Sequence, residues 1–244
     1  MKVILFGATG MVGQGVMREC LQDPRVTQVL AVGRTTTGLT HPKLSELTHP
    51  AMDRWETLDG LLAGYDACFF CLGVSSAGMS EDAYTRVTHG LTLDVARTLA
   101  RLNPDMTFLY VSGSGTDGTE RGRTMWARVK GRTENDLQRL PFKAVYLFRP
   151  GLIPPLHGAR SKTRAYRLVY TLAAPLLPLA RRLFPKQVLT TVEIGQAMLA
   201  AAERGAPKAV LETADIRALV NQSESLWSGK PPAGQEFGAG RISG

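Results

Sequence analysis

The sequence predicts an α/β fold, a doubly wound parallel sheet with a small C-terminal segment on the substrate side. Three observations predict it. Short apolar runs alternate with longer helix-forming runs from Lys2 to Phe148. Each parallel crossover needs a helix, so this rhythm implies a parallel sheet covered on both faces. A glycine triplet stands between the first apolar run and the first helix. The length of 244 residues suits one large domain, or one domain with a small appendage.

The elements follow in order. Lys2 to Phe6 reads as a strand, and Met11 to Gln22 as a helix with Val12, Val16 and Cys20 on one side. Asp23-Pro24 ends that helix. Val26 to Val32 is a second strand, and a weak third lies around Leu44 to Met52. Trp55 to Ala63 reads as a short helix and Asp66 to Leu72 as a fourth strand. Ser80 to Leu102 is a long helix, Met106 to Ser112 a fifth strand, Arg123 to Leu140 a helix and Lys143 to Phe148 a sixth strand. Residues 1–151 thus form a dinucleotide-binding core. Residues 152–220 form a substrate-side or lid segment that completes the same domain, with a helix over Val192 to Glu203, a strand over Ala209 to Glu212 and a short helix over Ala214 to Val220. From Asn221 the chain is rich in Ser, Gly and Pro and reads as a mobile tail.

In LFGATGMVGQG, Gly7 permits a tight turn, Gly10 lets backbone approach a pyrophosphate, and Gly13 lets the helix pack close to the sheet. The helix N-terminus then offers N–H groups and a positive dipole end to phosphate. Thr9, Met11 and Val12 share this turn and are cofactor-contact candidates with the glycines. Arg34 follows the second strand. An acid there would suit a ribose 2′-hydroxyl and an arginine a 2′-phosphate, so NADP(H) is expected over NAD(H). The competing reading is a solvated loop arginine. Asp53 either caps the helix that follows it or accepts a hydrogen bond from an adenine amino group. Cys71, Leu72 and Gly73 end the fourth strand, where ligands of doubly wound sheets bind. Ser112 to Gly115 end the fifth strand on the same rim, and Arg149, Pro150 and Gly151 the sixth.

Cys68 and Cys71 are three apart on a strand, point to opposite faces, and should not bridge. His41, His49, His89 and His157 match no metal-ligand spacing, so no metal is expected. No secretory signal is expected, because the first apolar run is only Val3 to Phe6. The longest strongly apolar stretch, Leu168 to Ala180, is shorter than the roughly 20 residues a membrane span needs. A cytoplasmic protein is expected. The net charge of +8 comes from Leu137 to Val192, which holds ten basic residues and no acidic one. Arg160 to Lys186 is a lid over an anionic small-molecule substrate, an element on an anionic membrane surface, or a solvated helix edge. Nucleic acid is not expected as a partner, because no binding motif is present.

These residues together resemble the atypical or extended branch of the short-chain dehydrogenase/reductase superfamily. The likeness runs from Met1 to about Val220 on GATGMVG, CLG at Cys71, VSGSGTDG at Val111, WARVKGRTEN at Trp126 and FRPGLI at Phe148. Within the branch it is closest to Tat-interacting-protein-30-type oxidoreductases and proteins labelled epimerase or dehydratase-like. The resemblance implies a Rossmann fold and NADP(H) binding. It implies that Lys130 holds the nicotinamide ribose and that Pro150, Gly151 and Ile153 line the carboxamide. The family's acid is a tyrosine four residues before that lysine, lowered by the lysine's charge. Here Trp126 stands in that place, and an indole N–H donates without titrating. Trp126 is either a site residue or core filler. Ser112 or Ser114 takes the place of the family's serine and could polarise a carbonyl, and Tyr84, Tyr166 or Tyr170 could replace the missing acid. Two functions follow: a reductase or epimerase/dehydratase-like enzyme, or a non-catalytic NADPH sensor or assembly factor.

Overall fold

The computed structural model describes residues 1–153 and 188–228, with side chains as far as Gln222. The basic segment Arg160 to Lys186, with Tyr166, Tyr170 and His157, lies outside the described residues, as does the chain beyond Ser228.

Seven strands form one parallel sheet in the order β3-β2-β1-β4-β5-β6-β7. They are β1 (Lys2–Phe6), β2 (Gln28–Gly33), β3 (Leu44–Thr48), β4 (Ala67–Phe70), β5 (Thr107–Val111), β6 (Ala144–Arg149) and β7 (Val210–Glu212). The order reverses between β1 and β4, which open the switch-point crevice at their carboxyl ends. Strands buried on both faces carry uninterrupted apolar runs. In β1, Val3 and Leu5 enter one core while Ile4 and Phe6 enter the other.

The first face is covered by α1 (Met11–Gln22), α6 (Thr191–Arg204) and α7 (Thr213–Ser228), through Val16, Met17, Ile194, Met198 and Ile216. The second face is covered by α4 (Leu91–Leu102), α5 (Met125–Leu137) and the Trp55–Leu58 turn, through Leu93, Leu99, Leu137 and Trp55. Residues from Val188 onward therefore return to the core begun by residue 3. The α6 start is set by a reciprocal cap, with Glu193 N–H donating to the Thr190 hydroxyl and Thr190 N–H to the Glu193 carboxylate.

Three elements differ from the sequence reading. The long helix is broken into α3 (Glu81–Thr85), a π-helical turn (Arg86–Gly90) and α4. A π turn is a single-turn insertion flanked by helix on both sides, so the run reads as one helix in sequence. The expected helix at Trp55 is a 3-10 turn followed by the short α2 (Asp59–Leu62). The expected short last helix and the tail from Asn221 also need correction, because α7 continues through Asn221 to Ser228. Its buried Ile216, Leu219 and Val220 anchor the helix, and Asn221 and Gln222 after them are exposed.

Candidate functional site

The turn after β1 is shaped by two forbidden side chains. Gly7 has φ +83°, and a Cβ on it would lie 2.7 Å from the Cys71 carbonyl carbon. A Cβ on Gly13 would lie 2.1 Å from the Gly7 carbonyl oxygen. Gly13 thus brings α1 against the turn itself. Gly10 N–H donates to Gly7 O at 2.8 Å, and Gly10 O accepts the first helical bond, from Gln14 N–H, at 2.9 Å. No side chain caps α1 and no acidic residue lies in its first turn. The first-turn amides of Met11, Val12 and Gly13 have no acceptor within a helix. Such an end suits a phosphate.

A cleft of about 290 Å³ opens beside this turn, over β1, β2 and β3. Gly7, Thr9, Arg34, Thr37, Met52 and Leu72 are among its walls. Arg34 is exposed there, and among the described residues no carboxylate pairs with it. The Glu46 carboxylate instead accepts the Thr37 N–H at 2.6 Å and ties down the loop after Arg34. Asp53 does not cap the following turn. Arg54 stands at the cap position with φ 49°, and Met52 has φ 54°. These two left-handed residues leave Asp53 exposed and put Met52 on the cleft. The Asp53 carbonyl meets His49 Nε2 at 2.6 Å.

Cys71 N–H donates to Phe6 O at 2.9 Å, extending the β1–β4 ladder, so Leu72 reaches the cleft wall and Gly73 lies exposed beyond it. Cys68 is buried in one core and Cys71 packs against the other, and both thiols are free. Burial pushes both thiols up, Cys68 well above its ordinary value.

A second cleft, of about 760 Å³, lies at the ends of β5, β6 and β7. Ser112, Ser114, Pro150, Gly151, Ile153, Glu212 and Thr213 are among the residues that line it. Gly131 explains how α5 reaches this rim. A Cβ on it would lie 1.8 Å from the Asp117 carbonyl oxygen, so α5 presses on the loop after β5. One residue earlier, Lys130 Nζ donates to Ser112 O at 3.1 Å and Val111 O at 3.5 Å. It also stands 5.3 Å from the centroid of the Tyr110 ring. Burial pushes the Lys130 ammonium down to about 8, against the opposing pull of the Glu134 carboxylate one turn on.

Trp126 belongs to neither core cluster. Its indole is half-buried beside Gly115, where a Cβ would lie 3.6 Å from Cη2. It is carried on α5 and packs against Gly115 of the loop that also carries Ser112 and Ser114. The Ser112 hydroxyl is 2.8 Å from the Thr116 hydroxyl, and Thr116 donates to Gly113 O at 2.7 Å. Ser114 is exposed, with its amide donating to Pro150 O. Tyr84 is buried and its phenol is pushed up by burial.

Thr116 and Glu134 carry this geometry without a role that the sequence assigns, and Arg149 has there only its place at the end of the sixth strand. Glu134 is 1% exposed, and Arg149 Nε donates to both its oxygens at 3.1 Å while Nη2 makes a further contact. Arg149 Nη1 reaches Glu212 at 3.3 Å. One guanidinium thereby ties α5 to the ends of β6 and β7. Glu134 could have been singled out only by its heptad-like place one turn after Lys130.

No family model matches the chain. It is 31% identical over 169 residues to the fmp52 protein of Aspergillus clavatus, covering 66% of this chain and 69% of that one. It is 27% identical over 154 residues to HTATIP2 of Rattus norvegicus, covering 62% of each. Its fold matches the Bordetella bronchiseptica enzyme WbmF, solved with NAD+, at a TM-score of 0.63 and 17% identity over 94% of this chain and 78% of that one. The expected cytoplasmic location is overturned by the fungal relatives, whose names place them in mitochondria. Among the described residues no helix is long and apolar enough to cross a membrane. The chain belongs to the family of the fmp52 proteins, on the fold of NAD-bound enzymes such as WbmF.

Proposed function

We propose that this protein binds NADP(H) and acts as an oxidoreductase, or an epimerase/dehydratase-like enzyme, on a small carbonyl or hydroxyl compound, with Trp126 where its family places a tyrosine. The observation that carries this is Lys130, held by the Val111 and Ser112 carbonyls at the end of β5, where Ser112 lines the second cleft. The residues fit the coenzyme. At Gly7 and Gly13 any side chain would close the phosphate turn. The Arg34 guanidinium favours the phosphorylated form, because it is exposed in the first cleft and unpaired among the described residues. In this reading Gly7 to Gly13 hold the pyrophosphate, Leu72 and Gly73 border the adjoining ribose, and Pro150 to Ile153 border the carboxamide. When bound, the nicotinamide supplies or takes the hydride. The chain's own part is to hold the substrate oxygen near Ser112 and Ser114 and to offer it the exposed Ser114 hydroxyl as donor, since the Ser112 proton goes to Thr116.

Titration calorimetry with NADPH and NADH tests the reading. NADPH should bind more tightly, and Arg34→Ala should weaken NADPH by about tenfold or more, the worth of a charged hydrogen bond, while sparing NADH. Equal loss for both coenzymes, or no saturable heat with either, would remove the basis for the proposal. Trp126 favours a second reading, a coenzyme sensor without turnover, because its indole cannot relay a proton. NADPH oxidation with carbonyl or quinone compounds separates the two.

A further inference from the structure

We propose that Glu46 is a second determinant of coenzyme choice, working against Arg34. Its carboxylate accepts the ribose 2′-hydroxyl of an unphosphorylated coenzyme and opposes the 2′-phosphate of a phosphorylated one. This deepens the coenzyme reading above and rests on it. Arg34 and Glu46 are the two charged side chains among the described residues that line the first cleft. Opposite charges in a cleft of about 290 Å³ have every opportunity to pair, yet among the described residues no ion pair joins them. Glu46 is instead engaged with backbone.

The strand register explains why Glu46 reaches this cleft. It stands opposite Ala31 in the β2–β3 ladder, and Ala31 is both a cleft residue and part of the core beneath α1. Side chains alternate along a strand, so Glu46 shares a face with Leu44, which packs on that same core, while Leu47 packs on the other. Glu46 therefore lies on the side of the sheet that carries α1 and its glycine turn. Arg34 follows Gly33, which pairs with Thr48 two residues further along β3. Glu46 Oε1 accepts the Thr37 N–H at 2.6 Å, and the Thr37 hydroxyl accepts the Leu39 N–H at 3.2 Å. With left-handed Gly38 at φ 77°, rounded from the same turn, these bonds hold the loop after Arg34 against β3. Glu46 Oε2 has no partner among the described residues. The side chain is thus anchored by one oxygen and offers the other as an acceptor.

The two coenzymes differ in the group they bring to this cleft. A 2′-hydroxyl donates, and an ionised carboxylate is a stronger acceptor for it than a neutral group. A 2′-phosphate brings negative charge, which suits the Arg34 guanidinium and is opposed by the Glu46 carboxylate. Selectivity is a difference of affinities, and here each form of the coenzyme meets one favourable charge and one unfavourable or idle one. Arg34 alone does not set the preference. Glu46 limits it, because it strengthens binding of the form that Arg34 ignores and weakens binding of the form that Arg34 selects.

Titration calorimetry of NADPH and NADH against the full chain, Glu46→Gln and Glu46→Ala tests this. Glutamine keeps an oxygen for the Thr37 N–H and removes the charge. NADPH should bind Glu46→Gln about threefold more tightly and NADH about threefold more weakly, moving the ratio of dissociation constants about tenfold toward NADPH. A purely structural role would leave that ratio in place, because the loop keeps its bond. Glu46→Ala also frees the loop and should weaken both coenzymes, yet it should move the ratio the same way. A ratio that stays put or moves toward NADH in either variant overturns the inference, while binding of both coenzymes leaves the coenzyme reading standing. An unmodified protein that prefers NADH, with the tenfold shift present in Glu46→Gln, supports the role of Glu46 and overturns the NADP(H) preference. No saturable heat with either coenzyme in the unmodified protein overturns both.

Discussion

Replacing Glu134 by alanine should destabilise the protein far more than an ordinary surface charge would. The carboxylate is 1% exposed and the Arg149 side chain 15% exposed, so neither charge is well solvated. Alanine would remove the carboxylate that engages Arg149 through both Nε and Nη2. Removing one member of a buried pair costs about 3–5 kcal/mol, because the survivor stays buried without its partner. Here Arg149 keeps Glu212 at 3.3 Å, which places the expected loss at the lower end, about 3 kcal/mol. For a chain of this size each kcal/mol moves Tm by about 2–4 °C, so Glu134→Ala should melt about 6–12 °C lower. Circular dichroism melts and urea titrations at pH 7 read both quantities. The double variant Glu134→Leu with Arg149→Met should recover most of the loss, since it removes both charges and fills the space. A Tm drop below about 2 °C in Glu134→Ala, or no recovery in the double variant, would show that the pair is not buried in the way described.

Gly13→Ala would place a methyl group 2.1 Å from the Gly7 carbonyl oxygen, and the helix must then shift from the turn at a cost of about 1–3 kcal/mol. Calorimetry should show NADPH binding weakened at least about tenfold with circular dichroism intact; unchanged affinity would separate the turn from the coenzyme. Stability should fall on acidification. Asp23, Asp59 and Asp117 are held below the usual carboxylate range by the Arg25 side chain, the Arg101 side chain and the Thr119 hydroxyl respectively. Each binds a proton more weakly folded than unfolded, so its contribution is present above an unfolded pKa of about 4 and is lost as pH falls through the lower folded value. Urea midpoints should drop below about pH 4, and midpoints that hold steady down to pH 2.5 would contradict the assigned pairings.

The strands were legible because burial on both faces leaves no polar interruption, as in ACFF of β4 and TFLYV of β5. The edge strand β3 was faint because most of its residues are only partly covered or exposed, so LSELT carries little apolar signal. The glycine turn was legible because Gly7 and Gly13 answer local backbone demands. Of the two roles open to Asp53, the cap fails for the opposite reason. Its acid type suited a cap, but left-handed backbone at Met52 and Arg54 puts the cap one residue later. The Lys130–Trp126 spacing singled out α5, yet nothing in it shows that Gly131 brings that helix within contact of Asp117.

By itself the chain determined most of the strand and helix sequence, the glycine turn and the absence of a titratable phenol four residues before Lys130. These depend on neighbours within a few residues, where steric limits and apolar spacing act directly. Only the folded molecule decided that Arg149 closes on Glu134 and Glu212, that Thr116 claims the Ser112 proton, and that Lys130 loses its water. Such pairings join distant or differently oriented groups, and their energy comes from shared burial that no single segment can set.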